Sequence, residues 1–204
     1  DYEWLFNNYN FSKISRFLDE LIVINVTPAN KSYSLFLDCV KSIVENVFIP
    51  VSIGGGILSL NKAIECFQNG ADKVVINSAL RHNKQIAIEI INHFGSQSVI
   101  ASVDYKIVDN NPWVYDWDNK KIIHGKDLYS YIKLIHDIGF GEILLNSVDR
   151  DGTGFGLDLE IINNISNNCK LPLIAMGGAG KFKHFNQIFN NHGPDAIATA
   201  NLLN

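Results

Sequence analysis

The fold is recognised most readily from one stretch of the sequence, Glu142-Ile-Leu-Leu-Asn-Ser-Val-Asp-Arg-Asp-Gly-Thr-Gly-Phe-Gly156. Its apolar run, Ile143 to Leu145, predicts a buried strand, and a polar, glycine-rich turn follows it. Parallel α/β proteins bind their ligands in such turns, at the carboxyl ends of the strands. A plain surface turn would account for the glycines. The two aspartates, the arginine and the threonine between them favour a ligand-binding loop.

Composition describes an ordinary globular protein. The chain has 204 residues, of which 47% are hydrophobic and 19% charged, and its net charge of −4 argues against non-specific nucleic-acid binding. Cys39, Cys66 and Cys169 are odd in number and widely spaced, so we interpret them as reduced structural residues of a cytoplasmic protein. No metal-binding histidine spacing, secretion signal or membrane-length apolar run is present, and we expect no metal, no cofactor and no membrane contact.

Strands alternate with helices along the whole chain, which predicts a parallel sheet built from βαβ units. The apolar patterns predict strands over 21–25, 48–53, 73–77, 98–103, 142–146, 171–175 and 196–199. Helical periodicity covers 2–17, 32–46, 59–69, 83–93, 127–138, 157–167 and 181–190. The polar and aromatic segment 105–124 is predicted to form a β-hairpin, with its tryptophans packed on the rim or covering a ligand.

An internal repeat distinguishes a closed barrel from an open, doubly wound sheet. The segment 19–22 matches 141–144 at an offset of 122 residues, and Gly54-Gly55-Gly56 matches Gly177-Gly178-Ala179 at an offset of 123. Residues 71–75 and 78–80 match 194–198 and 201–203, again at 123. Such agreement indicates two half-units of about 123 residues.

Seven parallel strands are predicted, and the counterpart of the strand that ends at Asp104 would fall before Asp1. We therefore expect an α/β fold, a (β/α)₈ barrel of two half-barrel repeats whose first strand and last helix are missing from this sequence. Residues 1–204 form a single incomplete barrel in this interpretation, with half-barrels over 1–95 and 96–204.

Two glycine turns at the carboxyl ends of strands are candidate phosphate sites. Gly54–Gly56 is expected to act with Asn77 and Ser78, and Gly177–Gly180 with Ala200 and Asn201. Glycine lets backbone N–H groups approach phosphate oxygens, so two such turns suggest a ligand with a phosphate at each end. The alternative is two tight turns of a duplicated scaffold.

Charged residues at strand ends supply two further candidates. Asp104, at a carboxyl end, is a candidate general acid or base, and its alternatives are a turn cap or a partner of Lys106. Glu20, Lys73 and Glu142 begin three strands at the opposite face. They either form a charged ring on the barrel axis or are solvated strand ends.

Together these motifs resemble the cyclase subunit of imidazole glycerol phosphate synthase, from histidine biosynthesis. The resemblance runs through nearly the whole chain and is carried by Gly54–Ile57, Ala71–Val74, Ile76-Asn77, Phe94–Gln97, Ser102–Asp104, Gly141–Leu145, Asp149–Thr153 and Gly177–Lys181. It implies a ribulosyl aminoimidazole carboxamide substrate with two phosphates. It also implies ammonia that reaches the site from a glutaminase subunit docked on the N-terminal face of the barrel.

The resemblance also implies roles for individual residues. Asp104 matches the catalytic carboxylate, Glu20, Lys73 and Glu142 match an ammonia gate, and Asp72 matches an interface residue facing the glutaminase. The phosphate and ligand positions are matched by Gly55, Gly56, Asn77 and Ser78 in one half and by Asp151, Gly152, Gly178, Ala200 and Asn201 in the other.

Several departures from the family pattern surround the expected reaction centre. They are Asn25, Tyr105, Asn146 and Met176, where aspartate, alanine, threonine and serine are usual. This pattern resembles paralogues that deliver ammonia for sugar amidination in surface-polysaccharide biosynthesis. A barrel that only scaffolds or activates a glutaminase is a third, non-enzymatic hypothesis.

Overall fold

The computed structural model describes residues 6, 8–26, 33–189 and 193–200 of the chain. These residues divide into two compact units, the first running to Val99 and the second beginning at Ile100. Each unit is built from parallel strands joined by helices. The predicted α/β class, with strands and helices in the order of a (β/α)₈ barrel, is confirmed.

The first unit contains three short parallel strands and the helices that follow them. The strands are β1 (Leu21–Ile24), β2 (Val51–Gly54) and β3 (Lys73–Ile76). The helices are α1 (Phe11–Ile14), α2 (Tyr33–Val44), α3 (Leu60–Gln68), α4 (Ser78–His82) and α5 (Lys84–Phe94). Strand β2 pairs with both β1 and β3, with Leu21 opposite Val51 and Ser52 opposite Lys73.

The second unit contains four parallel strands and an antiparallel hairpin. Its elements are β4 (Val99–Val108), β5 (Asn111–Asp116), β6 (Lys121–Asp127), α6 (Leu128–Ile138), β7 (Glu142–Ser147), α7 (Leu159–Asn168), β8 (Leu173–Met176), α8 (Lys183–Phe189) and β9 (Ala196–Ile197). The parallel strands are hydrogen-bonded in the order β4, β7, β8, β9. Strand β5 pairs antiparallel with β4 and β6, so the hairpin predicted over 105–124 is confirmed.

Each unit buries the apolar faces of its helices against its strands. Val40 and Ile43 of α2 and Ile90 of α5 are fully buried in the first unit, and Ile135 of α6 is fully buried in the second. Val40 and Ile43 are three residues apart, so they lie on one apolar stripe of α2. The strands read as continuous apolar runs because both of their faces are covered, as in Ile143 to Leu145, which are at most 3% exposed.

In both units an aspartate forms two reciprocal hydrogen bonds with the first residue of a strand. The Val51 backbone N–H donates to Asp72 Oδ2 over 2.8 Å, and the Asp72 N–H donates back to the Val51 carbonyl over 2.8 Å. In the second unit the Leu173 N–H donates to Asp195 Oδ2 and the Asp195 N–H to the Leu173 carbonyl, both over 2.9 Å. This reciprocal pair of bonds supports the internal repeat that the sequence predicts.

The glycine turns also correspond, but at an offset of 122 residues. Ile24 lies opposite Gly54 in one unit, as Asn146 lies opposite Met176 in the other. The positive-φ glycines that follow are Gly55 and Gly56 (φ 89° and 71°) and Gly177 and Gly178 (φ 93° and 98°). The sequence match that pairs Gly54 with Gly177 is therefore wrong by one residue, because Gly54 is still part of strand β2.

Most predicted elements are found with bounds that differ by a few residues, and the larger differences lie in the first unit. Phe6 and Asn8 are helical, but the chain leaves the helix at Tyr9, and Asn10 caps a new helix by accepting a hydrogen bond from the Lys13 N–H. The single helix predicted over 2–17 is therefore wrong. The strand predicted from 48 begins at Val51, directly after Pro50. The short helix α4 is an addition to the predicted elements.

No helix within the described residues is long and apolar enough to cross a membrane. Cys39 and Cys66 are buried, and all three cysteines are free.

Gly55 should tolerate no side chain, because a Cβ atom there would lie 2.1 Å from the Asn25 carbonyl oxygen. We expect Gly55→Ala to lower the free energy of unfolding by at least about 2 kcal/mol more than Gly125→Ala. Gly125 is the matched control, since its φ is also positive (81°) and nothing lies within 4 Å of the place where its Cβ would be. Urea unfolding followed by circular dichroism measures both, and equal losses would contradict the close approach.

Candidate active site

Asp104 is a buried carboxylate held by a side chain of the neighbouring strand. It lies on β4 opposite Asn146 of β7 and is 7% exposed, while Asn146 is 3% exposed. The Asn146 Nδ2 donates a hydrogen bond to Asp104 Oδ1 over 2.8 Å. A carboxylate that is shielded from water and fixed by a donor is a suitable group for moving protons to and from a bound molecule.

The next residue along β4, Tyr105, joins a second buried cluster. Its hydroxyl donates to Asp158 Oδ2 over 3.0 Å, and these two side chains are 1% and 5% exposed. Arg150 Nε lies 3.9 Å from the same carboxylate oxygen and compensates part of its charge. Burial, and next the contact with Asp158, raise the pKa of the Tyr105 phenol far above its ordinary value. The hydroxyl therefore acts as a donor at any physiological pH.

Asp149 ties the loop after β7 to strand β4. Its Oδ2 accepts a hydrogen bond from the Ile107 backbone N–H over 2.9 Å, and its Oδ1 lies 3.4 Å from Lys106 Nζ. Lys106 is the alternative partner that the sequence offers for Asp104, and the structure pairs it with Asp149. That surface ion pair is weak, but together with the backbone bond it fixes where the loop begins.

Asp151 and Gly152 lie at the tip of this loop. The Asp151 N–H donates to the Ser147 carbonyl over 2.9 Å, and the Asp151 side chain is exposed. Gly152 has a φ of 73°, and nothing lies within 4 Å of the place where its Cβ would be. The tip is therefore open on the side that a side chain would occupy.

The second glycine turn is connected to the same loop. The Gly156 N–H donates to the Gly178 carbonyl over 2.8 Å, and a Cβ at Gly178 would lie 2.2 Å from the Gly156 carbonyl oxygen. The Gly180 N–H donates to Nδ1 of the buried His184 over 3.3 Å. Ala200 is exposed, and Asn201 lies outside the described residues.

The first glycine turn carries neighbours that the sequence does not suggest. The Tyr33 ring lies 3.6 Å from the Cβ position of Gly56, and Lys62 Nζ lies 3.7 Å from the centre of that ring. The Tyr33 hydroxyl lies 3.4 Å from Sγ of Cys66, and burial raises the pKa values of both groups. Asn77 and Ser78 lie at the N-terminus of α4, Asn77 as the capping residue.

At the amino ends of the first unit's strands, Glu20 and Lys73 form an ion pair with an Nζ–Oε2 distance of 3.0 Å, and both side chains are less than one-quarter exposed. The buried Ser52 hydroxyl donates to the other carboxylate oxygen of Glu20. Glu142, half-buried, begins β7 of the second unit. One carboxylate oxygen of Asp72 accepts the hydrogen bond from the Val51 N–H, which is a structural contact. The role of Asp72 at an interface stays a prediction.

The structure thus brings Asp104 together with Asn146, and links Asp151, Gly152 and Gly178 through one loop. Sequence reasoning misses Asp158, because this residue falls within the helix predicted over 157–167. It marks Asn146 and Tyr105 only as departures from a family pattern. These partners could have been found from the register of the two strands. Once β4 and β7 are aligned, Asp104 lies opposite Asn146 and Tyr105 lies opposite Ser147.

A family model described as "Histidine biosynthesis protein" matches residues 10–204. The whole chain is 38% identical to the putative imidazole glycerol phosphate synthase subunit hisF2 of Parasynechococcus marenigrum and covers 76% of that protein. Over 91% of the chain, it is 39% identical to the imidazole glycerol phosphate synthase subunit HisF of Pyrobaculum aerophilum and covers 72% of it. The HisF subunit of Clostridium botulinum (strain Okra) is 35% identical over 91% of the chain, which covers 74% of that subunit.

Tyr105→Phe removes one hydroxyl and leaves the ring, so it isolates the bond to Asp158. We expect the free energy of unfolding to fall by about 1–3 kcal/mol, because a buried carboxylate loses a donor. Tyr129→Phe is the control, since Tyr129 is 39% exposed, and it should change stability by less than about 0.5 kcal/mol. Chemical unfolding of the two variants makes the comparison, and losses of the same size would count against the buried cluster.

Proposed function

The chain belongs to the histidine biosynthesis protein family, and we propose that it acts as the cyclase subunit of an imidazole glycerol phosphate synthase. In this proposal it converts a ribulosyl aminoimidazole carboxamide bisphosphate to imidazole glycerol phosphate with ammonia from a glutaminase subunit. The observation that carries it is Asp104, a buried carboxylate fixed by Asn146 in the strand pair that leads into the loop with Asp151 and Gly152.

Acid–base chemistry is the task that this carboxylate suits. Ammonia adds through its lone pair to an electrophilic carbon of the substrate and must then lose a proton. Closing an imidazole ring and releasing the second fragment require further proton transfers. Asp104 accepts a proton in one step and returns it in a later one.

The two glycine turns fit the two phosphates of that substrate. Gly55 and Gly56, and Gly177 and Gly178, are consecutive positive-φ pairs at equivalent strand ends. Such a backbone lets main-chain N–H groups converge on an anion. Asn77, Ser78, Ala200 and Asn201 are the residues we assign beside them.

Ammonia delivery is assigned to the opposite ends of the strands. The Glu20–Lys73 pair, with Glu142 as a further member, is the proposed gate, and Asp72 lies among the residues proposed to face the glutaminase. The ion pair supports this assignment because two partly buried charges that hold each other in place can be displaced together when a partner docks.

A second candidate function is favoured by the surroundings of Asp104. The two residues that touch or adjoin it, Asn146 and Tyr105, are places where the sequence departs from the family pattern. A paralogue that supplies ammonia for sugar amidination would keep the gate and the phosphate turns and change the reaction centre in this way.

Turnover of the ribulosyl bisphosphate by the full-length protein, with ammonium salt at alkaline pH, tests the cyclase directly. We expect formation of imidazole glycerol phosphate, and Asp104→Asn should lower the rate by about 10²–10⁴-fold. Asp109→Asn makes the same change of charge in the exposed hairpin turn and should leave the rate unchanged.

Absence of product from a folded sample would overturn the cyclase assignment. Stimulation of a glutaminase by that same sample would then favour the amidination paralogue or a scaffolding role.

A further inference from the structure

The NH₂ group and the carbonyl oxygen of the Asn146 side chain differ in their hydrogen bonding. Its Nδ2 donates to Asp104, but its Oδ1 is buried and has no hydrogen-bond partner among the described residues. A buried acceptor without a partner is uncommon in folded proteins, because it has lost its hydrogen bonds to water and forms no others.

The hydrogen bond to Asp104 sets the orientation of this amide. Its NH₂ group donates to Asp104 Oδ1, so its carbonyl oxygen faces away from that carboxyl group. That oxygen points to the second glycine turn, since it lies 3.0 Å from the place where a Cβ of Gly177 would be. The Ser147 carbonyl oxygen and N–H nitrogen lie 2.7 and 3.0 Å from the same place, so glycine here lets the turn pack directly against Asn146 and Ser147.

The duplicated scaffold does not require an amide at this position. The equivalent residue of the first unit is Ile24, which lies opposite Gly54 as Asn146 lies opposite Met176. Strand pairing is preserved in both units, so the pairing itself does not require an amide. Asn146 therefore calls for an explanation specific to the second unit.

We propose that Asn146 is a specificity-determining residue whose Oδ1 accepts a hydrogen bond from a hydroxyl of a phosphorylated sugar or polyol chain. This inference rests on the proposed function, in which the Gly177–Gly178 turn binds a phosphate. The carbons next to that phosphate then pass beside Asn146 Oδ1 and carry hydroxyl donors to it. The same amide holds Asp104 with its other end, so recognition of the hydroxyl and placement of the carboxylate are coupled.

Affinities of three probes for the full-length protein test this role without any turnover. Calorimetry compares inorganic phosphate, glycerol 3-phosphate and propyl phosphate, the last having the same chain length without hydroxyls. We expect glycerol 3-phosphate to bind about 10-fold more tightly than propyl phosphate, as one hydrogen bond to an otherwise unpaired buried acceptor provides.

Two variants remove the acceptor. Asn146→Leu replaces the amide by a hydrocarbon side chain with little change of volume, and Asn146→Val does so with a smaller side chain. Threonine is avoided because its hydroxyl can donate to Asp104 and still accept from a ligand. Both variants should bind propyl phosphate as the unsubstituted protein does and lose the preference for glycerol 3-phosphate. If Asn146→Leu does not fold, Asn146→Val decides.

Equal affinities of the two organic phosphates for the unsubstituted protein, or a preference that survives in Asn146→Leu or Asn146→Val, would overturn the role of Asn146 and leave the phosphate turn intact. Failure of all three probes to bind would overturn the phosphate turn itself, and with it the proposed function.

Discussion

The close approach of backbone to backbone at the two glycine turns is the constraint on which the rest of the structure depends. A Cβ at Gly55 would lie 2.1 Å from the Asn25 carbonyl oxygen, and a Cβ at Gly177 would lie 2.7 Å from the Ser147 carbonyl oxygen. Each turn therefore presses against the end of the preceding parallel strand, in a conformation with positive φ that only glycine adopts without strain. The residue pairing of β1 with β2, and that of β7 with β8, ends next to these contacts.

Much of the fold could be predicted because it repeats. The α/β class and nearly every element followed from apolar periodicity and from matches about 122 residues apart. The prediction that failed was a local one, the single helix over 2–17. The Asn10 side chain caps a new helix and so interrupts the predicted one, and apolar periodicity does not reveal such a cap. The one-residue error in pairing the glycine turns arose because three consecutive glycines look alike in sequence. Only the strand register shows that Gly54 is a strand residue.

The candidate site could be predicted less completely. Asp104 is identifiable as a carboxylate at a strand end, but its partner Asn146 is 42 residues away and Asp158 is 53 residues from Tyr105. Contacts over such separations depend on the register of β4 with β7 and on the path of a loop. The substitution pattern marks Asn146 and Tyr105 as unusual. The geometry adds that both are buried and that each satisfies a different carboxylate, Asn146 that of Asp104 and Tyr105 that of Asp158.

We propose that the two equivalent glycine turns bind phosphate, and amide chemical shifts test this binding most directly. Inorganic phosphate would be titrated into ¹⁵N-labelled full-length protein while the Gly56 and Gly178 amides are followed, with Gly125 and Gly139 as distant references. We expect saturable shifts at both turns and none at the references. Shifts at neither turn, or changes spread evenly over all four glycines, would contradict it.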